Sequence, residues 1–269
     1  MSIYRYGDRM ANQFTKKNQS VDKVFTVIEY MAEKRMPLKL LEISAGIDFP
    51  ASTVSRLLTS LIERGYVYQD RETARYSLTL KFCTIGDSVK SSISLTEIIH
   101  PYLLELSNKS KETAYFAQEK DMSLVYMDAV GGTNIHNANI QRIGHIAPLH
   151  ATGIGKLLLL NYDSSRLNSL IEKKGLPAFT EKTCSSYDQL RKELESIKAA
   201  GCAIDDQECD IGIRCVAVPL YDYTGNIIGG ISISGPAERI HPERYDELLD
   251  MLKPAASRIS ARLGYGYQK

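Results

Sequence analysis

The chain has 269 residues, 43% of them hydrophobic and 24% charged, with a net charge of +1 and no tryptophan. This is an ordinary soluble composition, with length for one large domain or two smaller ones. The longest apolar run, Leu157-Leu158-Leu159-Leu160, falls far short of the ~20 residues a membrane helix needs, and the N-terminus MSIYRYGDRMANQFTKKNQS lacks the apolar run of a secretory signal. A cytoplasmic protein without a membrane partner is expected.

Five cysteines, Cys83, Cys184, Cys202, Cys209 and Cys215, form no CxxC pair. That argues against a disulfide framework and a zinc site and predicts neither metal nor cofactor. Charge is unevenly spread: residues 1–90 hold 14 Lys and Arg against 10 Asp and Glu, and the remaining residues 19 against 22. A mildly basic front and a mildly acidic back suit a nucleic-acid-binding module joined to a part with another task.

Residues 1–18 have few apolar anchors and read as a disordered leader. Val21, Val24, Phe25, Val27, Ile28 and Met31 then recur at helical spacing, with Ser20 as the expected N-cap and Met36-Pro37 as the break. A short helix is predicted over 39–45, ended by Gly46. A third starts at Pro50, where a missing N–H costs nothing, and its apolar stripe is Val54, Leu57, Leu58, Leu61 and Ile62. Short helix, turn and amphipathic helix make the helix-turn-helix layout. Beyond Gly65 the pattern alternates, and two short strands around residues 70–74 predict a hairpin, hence a wing.

The polar face of the third helix carries Ser52, Thr53, Ser55 and Arg56. Small hydroxyls can approach phosphates and base edges closely, and arginine can fork onto guanine. The alternative is that Ser52 and Thr53 only cap the helix and Arg56 is a solvated charge. Arg71 and Arg75 sit where a wing would meet the DNA backbone or minor groove, unless they form a salt-bridged turn with Asp70 and Glu72.

A connecting helix is predicted over 81–94 and another over 95–107, interrupted at His100-Pro101. Strands are expected at 114–116, 124–128 and 134–140, and a hairpin from 214–220 and 227–234 around Asp222-Tyr223-Thr224-Gly225-Asn226. Helices are expected at 155–161, 164–173, 186–200 and 243–263. Mixed order with a long closing helix indicates an α+β fold on a mostly antiparallel sheet.

Several segments, in order, resemble the IclR family of bacterial transcriptional regulators. Ser52-Thr53-Val54-Ser55-Arg56-Leu57-Leu58, Gly65-Tyr66-Val67 and Arg75-Tyr76-Ser77-Leu78 are similar to its winged helix-turn-helix. Pro148-Leu149-His150-Ala151-Thr152-Gly153-Ile154-Gly155-Lys156, Gly201-Cys202-Ala203-Ile204-Asp205-Asp206-Gln207-Glu208, Gly212-Ile213-Arg214-Cys215-Val216-Ala217-Val218-Pro219 and Ile231-Ser232-Ile233-Ser234-Gly235-Pro236 are similar to its effector-binding domain. The resemblance implies a DNA-binding domain over 19–80, a linker helix over 81–95 and a GAF-like effector-binding domain over 96–269. It also implies a homodimer, pairing in some members into a dimer of dimers, that controls a catabolic operon, in the expected case as a repressor, through operator DNA and a small metabolite.

By the same resemblance, Gly153, Ile154, Asp205, Ile213, Cys215, Ser232 and Ser234 line the effector pocket. The residues agree with that role. Gly153 and Ile154 precede a predicted helix whose free N–H groups suit a carboxylate, and Ser232 and Ser234, two apart on a strand, present both hydroxyls to one side. Sheet-edge hydrogen bonds for the serines and a cap or ion pair for Asp205 are the alternatives. Two departures stand out: Ala51 replaces the lysine many relatives place before Ser-Thr, and the 135–140 strand brings His136 and Asn139, which, if they face the pocket, favour a sugar acid or similar hydroxylated carboxylate. An enzyme using Cys215 as nucleophile with His150 or His136 as base and Asp205 as orienter, and a ligand-independent DNA-binding protein, are the competing readings; no local catalytic signature supports the first, so no enzymatic activity is expected.

Overall fold

The computed structural model describes residues 18–132 and 142–266. The chain divides into two compact units, Met1–Ile93 and Ser94–Lys269. Among the described residues no helix is long and apolar enough to cross a membrane. Of the leader expected over residues 1–18, residues 1–17 lie outside the described residues, as does the strand expected at 134–140 with His136 and Asn139.

In the first unit, α1 (Gln19–Lys34), α2 (Leu40–Ile47) and α3 (Ala51–Glu63) enclose a core of Val27, Met31, Leu38, Ile43, Val54, Leu58, Leu61 and Val67. The cap of α1 is Asn18 rather than Ser20: its side chain accepts from Ser20 N at 3.1 Å, satisfying a first-turn donor. Gly46 does not end α2. The helix runs to Ile47 and Asp48 closes it in the left-handed region at φ 55°. Gly46 is small because the Tyr30 ring occupies the space a Cβ would take.

The wing is β1 (Val67–Gln69) against β2 (Tyr76–Leu78), antiparallel with Val67 opposite Leu78. Its turn has no Asn-Gly; instead Asp70 Oδ1 accepts from Thr73 N and Thr73 Oγ1, both at 2.7 Å, and from Glu72 N at 3.1 Å. Leu38 exchanges both backbone hydrogen bonds with Tyr76, tying the wing to the segment between α1 and α2. The helix α4 (Lys81–Ser92) follows and leaves Ile85 and Val89 exposed.

The second unit is built on six antiparallel strands in the order β5-β4-β3-β8-β7-β6: β3 (Thr113–Lys120), β4 (Ser123–Val130), β5 (Ile146–Ala147), β6 (Ala203–Asp206), β7 (Ile213–Tyr221) and β8 (Ile227–Pro236). Strand alternation splits the side chains between two cores. Ala114, Phe116, Val216, Val218, Ile231 and Ile233 pack on α5 (Leu95–Ser110) and α9 (Tyr245–Arg262). Tyr115, Ala117, Cys215 and Ala217 face a core shared with α6 (Gly153–Leu159), α7 (Ser164–Lys174) and α8 (Tyr187–Ala200).

The break expected at His100-Pro101 does not occur: α5 is continuous through Pro101. Proline removes one intrahelical bond, but Ile99, Leu103 and Leu106, all buried in the second core, hold the turns on either side. Similarly, α6 starts at Gly153, two residues before the expected Gly155. Gly155 is required for packing, since a Cβ there would strike Leu149 O and Thr152 Oγ1. The strands β5 and β6 are additions to the predicted set.

Candidate functional site

In the first unit, Ser52 and Arg56 are exposed on α3, whose opposite face is pinned in the core by Val54, Leu58 and Leu61, while Thr53 and Ser55 are half-buried. Arg71 is exposed in the wing turn. Arg75 is otherwise engaged. Its Nη1 donates to Pro37 O at 2.9 Å and to Glu42 Oε2 at 3.1 Å, so it clamps the wing to α2. Arg75 thus pairs with Glu42 rather than with Asp70 or Glu72 of the turn; Asp70 Oδ1 accepts from Thr73 and Glu72 N, and those bonds, the one from Thr73 N foremost, hold its carboxyl below the usual range.

In the second unit, strand register assembles a small polar cavity. Asp205, Cys215, Ser234 and Thr113 form one cross-strand row over β6, β7, β8 and β3; Ala203, Ala217, Ser232 and Tyr115 form the next. Rows two residues apart share a face, so the two serines, the thiol and the aspartate open together onto the cavity. Gly153 and Ile154 close its side at the start of α6, in tight packing: a Cβ on Gly153 would lie 3.2 Å from Ala217 Cβ and 3.4 Å from Cys215 Sγ. Ile213 also lines it. All seven described residues expected to line a pocket are thus brought together.

Leu124 and five further polar residues complete the lining: Tyr115, Tyr126, Arg142, Thr152 and Asp210. The tyrosine rings sit 5.1 Å apart and tilted, and the Arg142 guanidinium lies 5.9 Å from the Tyr126 ring centre. Arg142 Nη2 donates to Asp210 Oδ2 at 2.6 Å and Nη1 to Tyr126 OH at 3.5 Å. Nothing in the local sequence marks Arg142 as a pocket residue. Asp210 closes an acidic stretch that the sequence does flag, and Tyr115 becomes visible only once β3 is paired with β8.

Burial sets the electrostatics. Asp205, buried, has its carboxyl pushed up to about 7 by desolvation, although Glu208 N donates to its Oδ1 at 2.7 Å. Near neutrality it can therefore donate or accept a hydrogen bond. Desolvation also pushes the Cys215 thiol up to about 12 and the Tyr115 phenol to about 12, so both are neutral donors. Strand β6 with Asp205 and the loop after it with Asp210 are anchored by Lys156 on α6, whose wholly buried Nζ reaches Glu208 Oε1 at 2.5 Å, Ile204 O at 2.7 Å and Glu193 Oε1 at 2.9 Å. Burial works against the Lys156 charge, yet Glu208 and Glu193 outweigh it and keep the ammonium above the ordinary lysine range.

The pairing of Cys215 with His150 as its base is not formed, and the other base considered, His136, lies outside the described residues. A thiol with so high a pKa supplies almost no thiolate at neutral pH, and His150 lines a separate cavity with Pro177, where its Nε2 is 3.1 Å from Pro177 O. Among the described residues no group of three His, Cys, Asp or Glu could hold a metal ion.

A winged helix-turn-helix joined in one chain to an antiparallel-sheet unit with a small polar cavity defines the class of a DNA-binding regulator. Comparison with known proteins agrees. Residues 20–71 match the IclR helix-turn-helix domain, and residues 88–261 match the C-terminal domain of bacterial transcriptional regulators of the IclR type. The HTH-type transcriptional regulator KdgR of Escherichia coli is 35% identical over 247 residues, covering 91% of this chain and 93% of KdgR. The transcriptional repressor IclR of Escherichia coli is 32% identical over 254 residues, covering 94% and 92%. The crystal structure of Thermotoga maritima IclR superposes with a TM-score of 0.60 at 28% identity, covering 93% of this chain and all of that one. The chain belongs to the IclR family of bacterial transcriptional regulators, and its role is DNA-binding transcriptional regulation.

Proposed function

We propose that this regulator represses a catabolic operon and is released from its operator by a small carboxylate, such as a sugar acid or keto acid, bound in the cavity of the second unit. The observation that carries the reading is the lining itself: two serine hydroxyls, a titrating aspartate and an arginine converge on one cavity. The N–H groups of Gly153 and Ile154 add donors on the same wall.

On the DNA side, α3 enters the major groove with Ser52, Thr53, Ser55 and Arg56 toward bases and phosphates, and Arg71 contacts the backbone from the wing. Arg75 acts indirectly, by holding the wing. A homodimer, singly or as a dimer of dimers, places two α3 helices in successive major grooves, and effector binding shifts the population of subunit arrangements through the linker helix α4. The domain reading supported by this layout is 19–80 for DNA, 81–95 as linker and 96–269 for the effector.

The test is fluorescence anisotropy of purified full-length protein on duplexes from the promoter of its own transcription unit. We expect affinity well above that for bulk duplex, weakened by at least one carboxylate from a sugar-acid and keto-acid panel. No preference for promoter over bulk DNA, with or without those compounds, would overturn the proposal.

A further inference from the structure

We infer that Arg142 is the residue that reads the effector's carboxylate, and that Asp210 is an internal competitor which that carboxylate must replace. The inference rests on the carboxylate reading above and names the atoms that would execute it.

Arg142 is the one cation among the described residues lining the cavity, which also holds two carboxylates, Asp205 and Asp210. An anion entering such a space meets repulsion unless the guanidinium is turned to it. The guanidinium is incompletely used. Asp210 engages one terminal nitrogen through one oxygen, at 2.6 Å, and the other terminal nitrogen reaches only Tyr126 OH at 3.5 Å. A fork of five donors that could grip a carboxylate through two parallel bonds is thus held by a single strong one.

The two partners are also unequally fixed. The Arg142 side chain is 32% exposed and rests near the Tyr126 ring; the Asp210 side chain is 44% exposed. A half-exposed aspartate is readily re-solvated, so its departure costs little. The arginine stays at the cavity wall, where its planar group suits a bidentate anion and lysine's point charge would not. Exchange of Asp210 for a ligand carboxylate conserves the number of ion pairs and exchanges a one-point contact for a two-point contact. The ligand's remaining oxygens then fall within the cavity lined by Ser232, Ser234 and Asp205. Asp210 also sets a threshold: a ligand without a carboxylate cannot displace it and gains nothing from Arg142.

Calorimetry on the full chain tests this with charged and neutral probes of similar size: gluconate against sorbitol, glycerate against glycerol, and pyruvate against acetone. Wild type should bind at least one acid tenfold or more tighter than its neutral counterpart. Arg142→Gln should abolish that preference and Arg142→Lys should restore only part of it. Asp210→Asn, which removes the competitor, should tighten acid binding threefold or more without changing the neutral probe, and the double variant should behave like Arg142→Gln. Acid preference retained by a folded Arg142→Gln would overturn this inference while leaving the carboxylate reading intact. Weaker acid binding by Asp210→Asn would do the same, making Asp210 the residue that positions Arg142. If wild type prefers no acid over its neutral counterpart, the carboxylate reading falls, and this inference falls with it.

Discussion

Lys156 and Glu208 form an ion pair at 2.5 Å with the lysine side chain wholly buried and the glutamate nearly so. The pair joins α6, which walls the cavity, to the loop that follows β6, between Asp205 and Asp210, so it is the mechanical tie of the candidate site. Removing one member leaves the other charged in low dielectric, which typically costs about 3–5 kcal/mol, whereas removing both together costs much less. Lys156→Met should therefore lower stability strongly in urea unfolding followed by circular dichroism, and Lys156→Met with Glu208→Gln should recover a substantial part. Equal losses in the single and double variants would show that packing, not charge, dominates.

Asp205 gives a pH signature. Its folded value of about 7 lies above the ordinary 3.8 because burial penalises the carboxylate. The folded state therefore binds the proton more tightly than the unfolded chain. Its contribution is fully present below about pH 4 and is lost as pH rises toward 7. At about 1.4 kcal/mol per pKa unit, the loss amounts to at most about 4 kcal/mol. Asp205→Asn keeps an oxygen for Glu208 N and cannot ionise. Its stability relative to wild type should rise between pH 4 and pH 7 and level off above; a difference independent of pH would count against a titrating Asp205.

Ser232 and Ser234 share one face of β8, beside Cys215. Ser232→Ala with Ser234→Ala should weaken effector response in the promoter-binding assay by roughly tenfold, the effect of losing one to two net hydrogen bonds of about 1 kcal/mol each. Operator affinity without effector should be unchanged. A fall in operator affinity as well would mark these serines as structural.

On the DNA side, Arg56 and Arg71 should behave differently. Arg56→Ala should cost about 1–3 kcal/mol on the operator and little on scrambled duplex if it reads a base. Arg71→Ala should weaken both duplexes alike and reduce the salt slope by about one, as expected for a phosphate contact. Anisotropy titrations on the two duplexes at several salt concentrations separate these outcomes.

Much of this was legible in the residues. Helical spacing of Val27, Met31, Val54, Leu58 and Leu61, followed by alternation after Gly65, marks the winged unit, because a local period reports which face must be buried. The motifs around Gly153, Asp205, Cys215, Ser232 and Ser234, read through their family resemblance, nominate residues that line a single cavity. Local signals misled where tertiary contacts outweigh them: Gly46 is small to admit the Tyr30 ring rather than to end a helix, and Pro101 is carried inside α5 by the core on either side.

The amino-acid order by itself determined the class of each unit, since periodicity and caps act over a few positions along the chain, and the family resemblance nominated most residues of the candidate site. Only the tertiary structure decided which side chains meet across long separations. Arg75 is drawn away to Glu42, and Arg142 to Asp210 and Tyr126. The register of β3, β7 and β8 puts Tyr115 level with Ser232, and Cys215 level with Ser234. Pairing partners on separate strands are selected by the burial of both sheet faces at once, a condition that no local stretch of sequence contains.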